Sequence, residues 1–178
     1  VLFRSLEPID PSLWKFLRLL PSNFPTLRIA QFAQLIHTSN GLFSKILNAD
    51  DIRQLAEHFK TSVSPFWRSH YTFSKSRKQS DKRLGKDAMG LIIVNSVIPF
   101  IFAYGKYHSN EMLVQRALCF LEELSPENNT IIRMWEELGI TSSNAGRTQA
   151  LIHLKNEYCN HKKCLFCSIG NKIVSGAT

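Results

Sequence analysis

No stretch of this chain alternates apolar and polar residues over five or more positions, whereas apolar residues recur at three- and four-residue intervals along most of its length. A half-buried strand needs the first pattern and a packed helix the second, so the sequence predicts an all-α fold with essentially no sheet. The 178 residues suffice for one ordinary core. We therefore expect one domain over residues 6–178, an irregular bundle of about seven or eight helices closed by a C-terminal cysteine-rich knuckle at 159–167. Val1–Ser5 stand apart from the pattern, match a translated sequencing adapter, and are read as a sequencing or cloning scar ahead of the C-terminal part of a longer protein.

Proline, glycine and capping residues divide the chain. A short amphipathic helix is expected over Ser12–Leu20, ended by Pro21, and a central one from Pro25, whose apolar face Leu27, Ile29, Ala30, Phe32, Ala33, Leu35 and Ile36 is too wide for a surface helix. Gly41 then separates Leu42–Leu47, and Asp50 or Asp51 caps a helix running to Phe59. Thr61–Phe73, with Pro65 and four aromatic residues, reads as a structured loop or short helical turns. Asp87 opens the only long apolar run, Met89–Tyr104; Asn95, Ser96 and Pro99 interrupt it, and it falls short of the ~20 residues a bilayer requires. It is expected to be a buried core helix that kinks or ends at Pro99, with no membrane as partner. Ser109 is the expected cap of the next helix, which carries Met112, Leu113, Ala117, Leu118 and Leu121 on one face and Cys119 within its apolar pattern. Ser125-Pro126 opens another, stopped by Gly139, and Ser143 caps the last. Leu35, Phe43, Leu55, Ile92, Val97, Leu118, Trp135 and Leu151 are the expected core.

Chemistry concentrates at the C-terminal end. Cys159, Cys164 and Cys167 fall within nine residues. A two-residue gap lets two thiolates reach one ion from a tight turn, and a third from a preceding helix end completes most of a tetrahedron. Soft sulfur ligands suit zinc first and an iron–sulfur cluster second. His161 is the nearest fourth ligand, with His70 and His153 as others from elsewhere; the plain alternative is small, partly buried free thiols. Cysteines crowded in this way do not make a disulfide framework, and no secretory leader pattern opens the chain, so a reducing cytoplasm is the expected compartment.

The formal net charge of +8 favours an acidic partner such as nucleic acid. A basic run holds Lys75, Arg77, Lys78, Lys82, Arg83 and Lys86 against Asp81 alone, directly after the aromatic segment. Cations beside stackable rings suit phosphates and bases, although a solvated mobile loop has the same composition. Lys155, Lys162 and Lys163 make a second basic group beside the cysteines. His70 is readable as a base or ligand and more ordinarily as a hydrogen-bonded, half-buried side chain. Glu122-Glu123 and Glu136-Glu137 read as solvated helix faces. The chain carries no phosphate-binding glycine loop, dinucleotide fingerprint, helical zinc-protease motif or nucleophile elbow, which leaves it without an expected active site of its own.

Asn23-Phe24-Pro25-Thr26-Leu27-Arg28-Ile29-Ala30-Gln31, Leu42–Leu47, Asn95–Gly105 and Gln149–Asn171 together resemble the C-terminal half of a bacterial family, domain of unknown function 2851. The resemblance runs from Leu6 to Val174 and is most specific from Leu154 through Cys159, Cys164 and Cys167 to Asn171. It implies acidic, restriction-endonuclease-like motifs in an N-terminal domain of the same chain, and so places catalysis outside these residues. The expected role is a helical accessory module with a structural metal in a nucleic-acid-processing protein. Its rivals are an interaction domain with free thiols, and an enzyme using His70 or a thiolate.

Overall fold

Four helices start on an Asn or Asp side chain whose oxygen accepts the backbone N–H three residues on: Asp51 from Gln54, Asn110 from Leu113, Asn129 from Ile132 and Asn144 from Arg147. Each contact satisfies a donor that a helix start otherwise leaves open. The computed structural model describes Glu7 and Ile9–Gly176; the scar assigned to Val1–Ser5 lies outside the described residues. Among the described residues there is no strand, only one isolated bridge between His70 and Ser76. The protein is all-α, and its residues group into two compact units, 1–89 and 90–178.

In the first unit, α1 (Pro25–Ser39) has proline in its first turn, where the missing N–H costs nothing. Asn40 and Gly41, at φ 44° and 91°, reverse the chain into α2 (Leu42–Asn48), followed by α3 (Ile52–His58) and α4 (Pro65–Ser69). Leu27, Leu35, Ile46, Leu55, Phe59 and Val63 are buried, and Trp67 and Tyr71 pack on the cluster of Leu27, Ala30 and Val63. α1 buries only one row of its wide apolar face; Ile29, Phe32 and Ile36 stay at least half exposed. The helix expected over Ser12–Leu20 does not form. Pro11–Leu13 makes one 3₁₀ turn, Arg18 takes a left-handed φ of 63°, and Leu17 is solvent-facing, so its apolar residues lack the common face a helix requires.

The long apolar helix does not end at Pro99. α5 (Lys86–Ile92), a π turn (Ile93–Val97) and α6 (Ile98–Tyr107) run on as one 22-residue helix. The N–H of Ile98 donates to the carbonyl of Ile93, five residues back, and the extra residue in this turn makes room for the proline ring that follows. The helix is therefore longer than the interrupted run suggested. By length and composition it is sufficient to cross a membrane, with a mean hydropathy of 1.8 over its most apolar stretch. It buries Ile93, Val94, Val97, Ile98, Ile101 and Gly105, whereas Leu91, Ile92, Phe100 and Phe102 are exposed.

In the second unit, α6 lies close against α7 (Glu111–Glu123): a Cβ on Gly105 would stand 3.0 Å from both Leu113 Cβ and Val114 Cγ2. α8 (Thr130–Glu137) and α9 (Ala145–His153) complete the core with Ile132, Ala145 and Thr148. Thr148, fully buried, donates its hydroxyl to the Ala145 carbonyl and accepts the Glu127 N–H. α7 turns Leu113, Val114, Ala117 and Phe120 inward, a phase that leaves the expected core residue Leu118, and Cys119 with it, exposed. Phe43 and Ile92 are likewise exposed, and Trp135 and Leu151 are half-buried, the Trp135 indole donating to the Leu151 carbonyl. Joined through the π turn, α5 and α6 count once, giving nine helices among the described residues.

Candidate nucleic-acid interface and cysteine segment

Pro65 sets the first turn of α4, and Phe66, Trp67 and Phe73 build one ring cluster, whereas the Tyr71 ring meets Phe24 at 6.4 Å. Phe66 stacks on His70 with ring centroids 4.0 Å apart, and Phe73 meets the edge of Trp67 at 5.1 Å. The basic run folds back along this helix: Arg77 N–H donates to the Ser69 carbonyl at 2.7 Å and Ser80 N–H to the Arg68 carbonyl at 3.0 Å. Lys75, Arg77 and Lys78 are exposed on that loop with no ion pair among the described residues. Lys86 is exposed at the start of α5, and Arg83 pairs with Asp81 at 2.6 Å.

Lys82 does not belong to that surface. It is only 6% exposed; its ammonium donates to the carbonyls of Trp67 and His70, each at 2.7 Å, and sits 3.6 Å from the centre of the Tyr71 ring. Its own carbonyl accepts from the buried Gln31 side chain at 3.0 Å. Burial pulls its pKa below the ordinary lysine value. The expected phosphate contact is thus an internal tie between the loop, α4 and α1. His70 takes the ordinary reading too: its Nδ1 lies 2.9 Å from the Phe66 carbonyl and 3.0 Å from Ser69 Oγ.

Sequence reading missed a neighbouring feature. An apolar cleft of about 680 Å³ opens between the segment Ile9–Phe16, α1 and α4, with Trp14, Phe16, Ile29, Ala33, Trp67 and Phe73 in its walls. The signal available in the sequence was a cation one or two residues after each of its four rings: Lys15, Arg18, Arg68 and Lys75.

In the second unit α9 runs into a π turn, Leu154–Cys159, and the chain then reverses at Lys162, whose φ is 53°. Lys162 N–H donates to the Cys159 carbonyl at 3.1 Å, and Lys163 N–H to that of Tyr158 at 3.0 Å. Cys164–Phe166 form a 3₁₀ turn, Cys167 N–H donates to the Cys164 carbonyl at 3.2 Å, and Cys167 precedes α10 (Ser168–Val174). Gly170 lies so close to this turn that a Cβ there would stand 2.5 Å from the Cys164 carbonyl oxygen. Cys159, Cys164 and His161 are exposed and Cys167 half-buried. Among the described residues no three His, Cys, Asp or Glu side chains are grouped to hold a metal ion. The segment closes instead through the backbone bonds just named. Lys155 donates to the Asn160 side chain, and Lys162 and Lys163 are exposed.

A family model matches residues 3–130. The chain belongs to the family described as Protein of unknown function (DUF2851). The DUF2851 match takes in the aromatic cluster, the basic loop and α1–α7, and it stops before the cysteine segment. No curated protein and no solved structure matches the chain.

Proposed function

We propose that this chain is a non-catalytic helical module that holds nucleic acid for a larger, nuclease-like bacterial protein working in the cytoplasm. The supporting observation is the loop bearing Lys75, Arg77 and Lys78: three exposed cations, free of ion pairs among the described residues, on a backbone fastened to an aromatic helix. Such a surface attracts phosphate and displaces its counterions without reading sequence. Neutralising Arg77, Lys78 and Arg83 together should weaken binding alike on unrelated sequences and flatten its salt dependence. No salt-sensitive binding to DNA or RNA at micromolar protein would sink the reading.

The same reading includes a structural metal, zinc before iron–sulfur, on Cys159, Cys164 and Cys167 with His161 as the nearest fourth ligand. Its support is the two-residue spacing of Cys164 and Cys167 and the exposure of the Cys159 and Cys164 thiols. Protein prepared without chelator or oxygen should carry about one zinc per chain, or absorb in the visible as an iron–sulfur centre. Finding neither would leave free thiols. A second reading, a protein-interaction domain, draws on exposed Leu165, Phe166, Ile169 and Ile173 beside the cysteines.

A further inference from the structure

We propose that the cleft walled by Trp14, Phe16, Trp67 and Phe73 takes the unpaired bases of a single-stranded nucleic acid, the phosphates meeting the exposed cations that follow these rings in the sequence. The inference rests on the nucleic-acid reading and adds to it a site and a substrate class.

Rings make up the cleft's distinctive chemistry. Trp67 and Phe73 meet edge to face at 5.1 Å on one side, and Phe16 is held by an edge contact with Phe24 at 5.1 Å. Every base has a π face, so an aromatic cleft accepts any of the four. The bases of a duplex are stacked inside it and present no free face, which confines such a cleft to unpaired nucleotides.

Charge decides between occupants. Each ring is followed within two residues by a cation, namely Lys15, Arg18, Arg68 and Lys75, and all four are exposed. The acid nearest the cleft in sequence, Asp10 beside Ile9, accepts the Ser12 N–H at 2.8 Å, and that bond keeps its carboxyl below the usual range. A neutral apolar partner would have no use for four cations, whereas a strand that sends in a ring and keeps a charged backbone outside uses both. Among the described wall residues the Thr26 hydroxyl already donates to the Tyr71 carbonyl, and so offers a base no hydrogen. Its volume of about 680 Å³ falls in the range of ordinary ligand sites.

The test uses the full chain with Trp135→Phe, which leaves Trp14 and Trp67 as reporters. A single-stranded 12-nucleotide thymidine oligomer should quench their emission and bind at least about tenfold more tightly than a 12-base-pair duplex. Phe73 is 77% exposed, so Phe73→Ala leaves the fold intact; it should cost roughly tenfold for the single strand with the salt slope unchanged. Lys75→Gln should instead reduce that slope by about 0.7. Equal affinity for duplex and single strand, or Phe73→Ala and Trp14→Ala binding as tightly as the parent, would overturn the cleft while leaving the broader reading standing. Absence of salt-sensitive binding to either nucleic acid would remove both. Emission shifts on phosphatidylglycerol vesicles, with none on the oligomer, would give the cleft to a lipid and likewise overturn the proposal.

Discussion

Replacing Lys82 by methionine keeps the length and apolar stem of the side chain and removes its charge. The ammonium makes two hydrogen bonds of 2.7 Å, to Trp67 and His70, and faces the Tyr71 ring at 3.6 Å, so all three N–H directions are used. Hydrogen bonds to a charged group contribute about 1.5–3 kcal/mol each, and a desolvated cation–π contact about 2 kcal/mol. Against them stands the cost of keeping an ammonium with no carboxylate partner among the described residues out of water, several kcal/mol, which methionine recovers. The difference is a loss of about 2 kcal/mol, because two carbonyls lose their donor. A pH dependence accompanies it. With its folded pKa below the unfolded one, Lys82 binds fewer protons in the native state across the alkaline window between them, so wild-type stability rises with pH there. Methionine lacks this gain, and the cost of the substitution should therefore grow from neutral pH toward the ordinary lysine value. Urea denaturation of both proteins, followed by tryptophan emission at several pH values, measures it. A cost below about 0.5 kcal/mol, or stability curves that stay parallel with pH, would refute the internal-tie account.

Asn144→Ala should cost about 1 kcal/mol by loss of the cap to Arg147, and Ser143→Ala almost nothing, a contrast read from paired thermal melts. Gly170→Ala forces α10 away from the Cys164 backbone; faster labelling of the half-buried Cys167 thiol by a disulfide reagent is the expected sign, and an unchanged rate would contradict it. Thr148→Val should lose roughly 1–2 kcal/mol, because it strands the Glu127 N–H that the buried hydroxyl accepts.

The fold class was legible because helical spacing of apolar residues recurs over most of the chain and alternation is absent. Helix starts were legible only to within a residue or more. In Ser109-Asn110 and Ser143-Asn144 both residues are good caps, and the asparagine does the work, with Ser109 turned left-handed at φ 52°. Ser125-Pro126 looked like a start, yet α8 waits for Asn129. The phase of a helix rich in apolar residues was harder to see, since α7 offers two plausible stripes and only its neighbours choose between them. At the candidate site, the exposure of Lys75, Arg77 and Lys78 agreed with the basic run, but the burial of Lys82 has no mark in local sequence. It depends on carbonyls 12 and 15 residues away and on Gln31 in another helix. The aromatic cleft was hidden for a similar reason, its walls coming from three separate segments.

The wide turn ahead of Pro99 fixes how this helix tolerates change in length. A residue in a regular helix advances the side-chain direction by about 100°. The π turn at Ile93–Val97 already holds one residue beyond the regular count, so Leu91 and Ile92 point where they do only because that surplus is present. Losing a single codon at Ser96 would tighten the turn to ordinary pitch, bring the proline ring against a carbonyl, and turn Leu91 and Ile92 by about 100°. Substitutions at Asn95 and Ser96, both exposed, face a far weaker constraint. In a lineage of such proteins, this stretch should drift in identity and hold its length.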